Sequence, residues 1–249
     1  MMKETRLLMG MPITVEVVDA TVLPKDIDEV FAYFEYIDNT FSTYKKTSEI
    51  TKINTGKLKV NNYSKDMKTI LQLSEQTRKE TNGYFNINHN GLLDPSGVVK
   101  GWAINNAANL LKKKFKHYYV DAGGDIQVAG KNSKGKKWSV GIRNPFNREE
   151  VVKVLEVSNK GVATSGTYIR GQHIYNPKDG KDPLSEVVSM TVIGANILEA
   201  DRFATAAFAM GSRGIAFIEN LPAFEGYMIT KDGLATFTTG FNAYVKHSN

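Results

Sequence analysis

An aspartate and a threonine four residues apart on a helix put two oxygens on one face, and Asp201 and Thr205 have that spacing within Glu199-Ala200-Asp201-Arg202-Phe203-Ala204-Thr205. A carboxylate and a hydroxyl, completed by backbone carbonyls and phosphate oxygens, suit Mg²⁺. The same pair also suits an Asp near a helix start with a Thr bonded back into its own helix. Upstream, Asp94-Pro95-Ser96-Gly97-Val98-Val99-Lys100-Gly101-Trp102 runs from a turn into a helix. Its two glycines let backbone N–H groups approach an anion, and Lys100 can add a charge; an ordinary loop–helix junction would read the same way. Asp121-Ala122-Gly123-Gly124-Asp125-Ile126 sets paired glycines between acids at a strand end, which serves a ligand or a plain hairpin bend. Gly161-Val162-Ala163-Thr164-Ser165-Gly166-Thr167-Tyr168, followed by His173-Ile174-Tyr175-Asn176-Pro177, offers small hydroxyls beside glycine and one imidazole. Of the 4 histidines only His173 has a dense polar-turn context; His89 lies in an Asn-rich loop, His117 ends a helix and His247 is in the tail. An imidazole can accept a proton near neutral pH, and it serves equally as a structural or solvated group.

The elements that would carry these segments follow from periodicity. Met11 to Val18 reads as a strand, and Pro24 opens a helix whose apolar positions Ile27, Val30, Phe31, Phe34 and Ile37 keep the 3.6-residue period. A second helix runs from an N-cap at Ser64 to Asn82-Gly83 with Met67, Ile70 and Leu71 inward, and a third covers Lys100 to Lys114. Tyr118–Val120, Ile126–Ala129, Trp138–Ile142 and Val151–Val157 are short β-type runs between Gly, Asn and Pro clusters, which implies antiparallel pairing. Lys134, Lys136 and Lys137 read as a hairpin loop. Val187–Ile193 is another strand, a helix follows near Leu198–Met210 with a shorter one after Gly211, and Phe224–Ile229 with Ala235–Thr239 closes the chain as a hairpin. The expected fold is α+β: a single compact unit over residues 1–249, mainly antiparallel sheets packed with helices.

Composition narrows the function classes. The chain has 249 residues, 32 Lys+Arg against 26 Asp+Glu, a net charge of +6 and 41% hydrophobic residues, ordinary values for a globular protein. The basic run Lys112-Lys113-Lys114 falls at a helix end, where it complements the dipole, and no nucleic-acid module is visible. No apolar run is long enough to span a membrane. With 0 Cys, disulfides, thiolate metal sites and cysteine nucleophiles are excluded.

Taken in order, these segments resemble the ApbE-like flavin transferases, the FAD:protein FMN transferases. The likeness runs through Met9-Gly10, Phe41-Ser42-Thr43-Tyr44, Ser48-Glu49-Ile50 and Gly83-Tyr84-Phe85 to the Asp94–Trp102 segment. It continues through Ala122-Gly123-Gly124-Asp125-Ile126, Ala163-Thr164-Ser165-Gly166, His173-Ile174, and Ala200-Asp201 with Thr205. The resemblance implies a Mg²⁺-dependent enzyme that splits FAD at its pyrophosphate, joins FMN to a Thr or Ser hydroxyl of a target protein and releases AMP. It implies Asp201 and Thr205 as side-chain metal ligands with a backbone oxygen near Gly97. Met9, Tyr44, Tyr84, Phe85, Asn86, Asp94, Lys100 and Ile174 match positions lining the FAD site, and His173 matches a histidine beside the phosphates. A neutral His173 would suit removal of the acceptor proton, with Asp201 and His173 the catalytic pair.

The chain departs from the family pattern at Asn86 and Asn176, where aspartate is usual, and in the short stretch between Phe85 and Asp94. It also has no lipobox cysteine or export signal in its opening residues, so the expected location is cytoplasmic, or exported if a leader has been removed. Two rivals use the same residues: an FAD pyrophosphatase, in which water replaces the protein hydroxyl, and a non-catalytic flavin-binding protein.

Overall fold

The computed structural model describes residues 1–147, 149–166, 177 and 186–246. Two strands, β1 (Met2–Leu8) and β2 (Met11–Val17), pair antiparallel around Met9-Gly10, both at positive φ (53° and 72°). A two-residue turn of that hand matches the right-handed twist of the strands it joins. Met11, Ile13, Val15 and Val17 alternate inward along β2. β5 (Tyr118–Ala122) and β6 (Asp125–Ala129) form a second hairpin through Gly123-Gly124, again at positive φ. With β9 (Lys160–Gly166), β10 (Val187–Gly194), β11 (Glu225–Thr230) and β12 (Ala235–Phe237) they make an eight-stranded antiparallel sheet ordered β1-β2-β5-β6-β9-β10-β11-β12. The strands β3 (Asn88–His89) and β4 (Leu92–Leu93) form a small hairpin, and β7 (Trp138–Arg143) pairs with β8 (Val151–Val157).

Helices cover one face of the large sheet. α1 (Pro24–Phe41) begins with proline, and Asp26 reaches back to accept from Leu23 N at 3.0 Å. α2 (Glu49–Asn54) is short; α3 (Lys65–Glu80) is capped by Ser64 Oγ, which accepts from Met67 N at 3.0 Å. α4 (Ser96–Lys112) and α5 (Ile197–Ala209) lie against each other, and α5 rests on β9 and β10; α6 (Gly214–Glu219) follows. The alanines of α5 keep its radius small, and Gly161 of β9 lets it come close: a Cβ there would sit 2.1 Å from Ile197 N. Phe31, Phe34, Ile13, Val120, Ile104 and Phe208 fill the core on this side. The β7–β8 hairpin covers the other face, packing Trp138, Val140, Ile142, Leu155 and Val157 onto Ile126, Val128, Val162 and Ile193. At roughly 1.5–3 kcal/mol per buried large side chain, either layer contributes substantially to holding the sheet between them.

Several elements differ from the sequence expectation. α4 starts at Ser96, four residues before Lys100, so the Gly97–Gly101 segment is helical rather than a turn leading into a helix. Gly161–Gly166 is a central strand, β1 precedes the first expected strand, and α2 had no counterpart. The lysines at 134–137 do not close a hairpin, since β6 and β7 belong to different sheets. Among the described residues no helix is long and apolar enough to cross a membrane.

Candidate functional site

Where α4 crosses α5, Gly101 faces Asp201. Gly101 N donates to Asp201 Oδ2 at 2.7 Å, and a Cβ on Gly101 would lie 2.7 Å from Asp201 Cβ and 3.0 Å from Ile197 O, so a side chain there would force the helices apart. In a regular helix that N–H serves the Gly97 carbonyl, and a charge-assisted bond to a carboxylate competes with it. Asp201 is 3% exposed. Across from it, β6 alternates so that Ile126 and Val128 face the β7–β8 layer while Asp125 and Gln127 face the helices. Asp125, 1% exposed, accepts Thr164 N on Oδ1 at 3.0 Å. Its Oδ2 lies 2.6 Å from Lys100 Nζ as an ion pair off hydrogen-bond alignment, which leaves this buried oxygen with no hydrogen-bond partner. Lys100 Nζ is also 3.9 Å from Asp201 Oδ1.

Two buried carboxylates thus share one ammonium. Burial pushes the Asp201 carboxyl up, to about 7; Lys100 and the Gly101 N–H oppose the rise, and the neighbouring Asp125 charge adds to it. One turn on, Thr205 Oγ1 is 3.4 Å from Ser165 Oγ. Thr205 also meets Gly97, where a Cβ would stand 3.2 Å from Thr205 Cγ2 and 3.1 Å from the Phe85 ring.

Asp201, Lys100, Ser165 and Thr205 line a cavity of about 670 Å³, within the range of roughly 300–1,000 Å³ usual for small-molecule sites, and Asp125 lies against Lys100 outside its lining. Tyr84, Phe85, Asn86 and Ile87 build one wall, and the Tyr84 hydroxyl accepts from Arg213 Nη2 at 2.5 Å. The β3–β4 hairpin turns at Asn90-Gly91, both at positive φ, and brings His89 and Leu92 to the cavity. Asn54 at the end of α2 holds this hairpin, donating to Leu93 O and accepting from Leu93 N, each at 2.9 Å. Asp94 Oδ1 accepts Ser96 N at 3.0 Å, and Ser96 and Gly97 present the positive end of α4 to the cavity.

Of the residues singled out in the sequence, Asp201, Thr205, Gly97, Lys100, Asp94, Tyr84, Phe85 and Asn86 all line this cavity. Met9 does not: it occupies the β1–β2 turn, and its neighbours Gly10 and Met11 take the lining positions. Tyr44 does not either; its side chain is 96% exposed and Thr43 lines the cavity instead. α1 ends at Phe41 and Ser42 is extended, so Tyr44 lies beyond the helix. His173, Ile174 and Asn176 lie outside the described residues, though Pro177 lines the cavity. Asp125, Asn54 and His89 are additions. Asp125 carried a readable signal in its Gly-Gly-Asp segment; the other two carried none, because helix α2 and the β3–β4 hairpin bring them in.

The donor set fits a hard divalent cation. Mg²⁺ takes oxygen ligands, usually one or two carboxylates with phosphates and water. Asp201 Oδ1, Thr205 Oγ1 and a main-chain oxygen near Gly97 could hold it, with Asp125 nearby and ion-paired to Lys100. Among the described residues no three His, Cys, Asp or Glu side chains cluster as ligands, so such an ion would also draw on oxygens of its ligand.

Fold and site together define an α+β protein with a cavity lined by the buried Asp201. The ApbE family model matches residues 9–94 and 88–228, and the chain belongs to the ApbE family. It is 31% identical over 151 residues to the FAD:protein FMN transferase of Escherichia coli (strain K12), covering 57% of this chain and 43% of that protein. Against the FAD:protein FMN transferase of Vibrio cholerae serotype O1 it is 33% identical over 138 residues, 51% of this chain and 41% of the relative. The sequence match therefore spans less than half the length of these relatives. In structure it is similar to the flavin transferase ApbE from Vibrio cholerae, with a TM-score of 0.85 at 22% identity over 98% of both chains. The ApbE protein from Thermotoga maritima gives a TM-score of 0.87 at 18% identity over 99% of both chains.

Proposed function

We propose that residues 1–249 act as one flavin transferase domain, moving FMN from FAD to a Thr or Ser hydroxyl of a target protein, with Mg²⁺ required. The observation that carries this reading is the pairing of Asp201 and Thr205 at one end of a cavity whose other wall is aromatic. The relatives named FAD:protein FMN transferase support it.

In the reaction the acceptor oxygen attacks the phosphorus of the FMN half. The new P–O–C ester forms as the bond to the bridging oxygen breaks, AMP leaves with that oxygen, and the acceptor proton goes to a base, the role assigned to His173. Bound Mg²⁺ would supply charge neutralisation at the phosphates. The protein's own contribution is alignment: the acids and Thr205 define the phosphate end, Lys100 adds a cation beside it, and Tyr84, Phe85 and Asn86 bracket the ring half.

Co-expression with a candidate target, followed by a denaturing gel viewed for flavin fluorescence, tests the reading. A fluorescent target band lost with Asp201→Ala supports it. Rapid FMN release from FAD and Mg²⁺ without any target would favour hydrolysis instead, and FAD binding without turnover would leave a flavin-binding protein.

A further inference from the structure

We propose that Arg202 is a positioning residue that fixes the Tyr84–Asn86 wall of the cavity relative to Asp201 and Thr205; its ligand, a flavin, rests on the reading above. Arg202 is 4% exposed. Its Nε donates to Glu199 Oε2 at 3.0 Å, its Nη2 donates to the same oxygen at 2.5 Å, and its Nη1 donates to the Glu80 carboxylate and to Thr77 Oγ1 at 3.3 Å. The guanidinium carbon stands 4.1 Å from the Phe203 ring centroid. Burying a guanidinium is costly, and a well-packed apolar side chain often stabilises as much or more. What a planar fork adds is a fixed register between the two elements it joins.

Those elements are the two sides of the cavity. Side chains at adjacent helical positions leave the axis about 100° apart. Asp201 therefore points at Gly101 of α4 while Arg202 points at the last turn of α3. Glu80 is the final residue of α3, and the wall begins a few residues later. The intervening turn is tied to that same helix end. The Thr81 hydroxyl donates to Thr77 O at 2.7 Å and accepts Phe85 N at 3.1 Å, and Gly83 N donates to Arg78 O at 2.7 Å. Phe85 then packs on Gly97 beside Thr205 and closes the circuit back to α5. Without Arg202, the last turn of α3 loses its grip on α5, and the wall loosens while the phosphate end stays intact.

The test compares Arg202→Met and Glu80→Ala with wild type, using riboflavin as a probe of the ring half and ADP with Mg²⁺ as a probe of the phosphate half. Glu80 is partly exposed, so its removal keeps the question answerable if Arg202→Met fails to fold. Riboflavin binding should weaken roughly three- to thirtyfold in each variant, with little further loss in the double variant, because one contact carries both effects. ADP binding should hold within about twofold. Equal weakening of both probes, unchanged riboflavin binding, or additive losses would overturn the proposal. If wild type binds neither probe, the flavin reading fails by itself, and amide exchange of the ligand-free proteins decides the inference: faster exchange at Thr81–Asn86 in both variants supports it, and unchanged exchange refutes it.

Discussion

Strand β6 separates two kinds of interior within five residues. Ile126 and Val128 point into the β7–β8 layer, where they meet Trp138, Val140, Ile142, Leu155 and Val157. Asp125 and Gln127 point the other way, into the helices, and Lys100 lies between Asp125 and Asp201. Most polar groups on the helix side have fixed partners. Gln127 Oε1 accepts the first N–H of α5 at 2.8 Å, and its Nε2 donates to Val128 O and Lys160 O at 3.1 Å. Asp125 Oδ1 accepts Thr164 N at 3.0 Å, and its Oδ2 is ion-paired at 2.6 Å to Lys100, which lines the cavity. One face of the sheet is apolar packing; the other carries the buried polar groups behind the cavity.

Substitutions on the two faces should separate activity from stability. Asp201→Asn should lower flavin transfer roughly 10²–10³-fold. Its thermal midpoint should not fall, because the Asn carbonyl can still accept Gly101 N–H; transfer assays and calorimetry together check this. Leu155→Ala in the hairpin layer should cost about 2–5 kcal/mol in denaturant unfolding and leave activity per folded molecule unchanged. Loss of specific activity there would erase the division between the faces. Gln127→Ala should sit between them, costing about 1–3 kcal/mol because the Ile197 N–H loses its buried acceptor, and it should impair activity by loosening the start of α5.

The smallest effect is expected far from both. The Lys114 ammonium, and then the Leu23 N–H, hold the Asp26 carboxyl below its ordinary value of 3.8. A carboxyl lowered in the folded state contributes fully above its unfolded value, and that contribution is lost as pH falls through the folded one. Asp26→Asn should therefore unfold with a shallower pH dependence below pH 3.8 and be unchanged in transfer, as acid titration of the thermal midpoint would show.

What could be read from the sequence was what local signals encode. α1 and α3 carry apolar stripes and their own start signals at Pro24 and Ser64. Asp201 and Thr205 were legible because a helical turn alone puts them together. β9 was not, since Gly161-Val162-Ala163-Thr164-Ser165-Gly166 lies mid-sheet, buried on both faces, and needs no alternation. β1 is an edge strand whose Lys3, Glu4 and Arg6 hide its pattern. The start of α4 is built from Gly97, Val98, Val99 and Gly101, poor helix formers kept helical by packing against α5 and Phe85. Asp125 needed the sheet to aim it at Lys100, which lies in a different element. Asn54 acts through the backbone of Leu93, 39 residues further along the chain. Tyr44 matched a motif, but its position after α1 carries it into solvent.

The account turns on a divalent ion gripping a dinucleotide's phosphates at the Asp201–Thr205 end of the cavity. Equilibrium FAD titrations with and without Mg²⁺, on wild type and on Thr205→Val, test this directly. Tight binding in wild type that requires the cation, and a Thr205→Val protein that no longer responds to it, is the expected result. FAD binding that is equally tight without Mg²⁺, or a Thr205→Val protein that responds as wild type does, would contradict it.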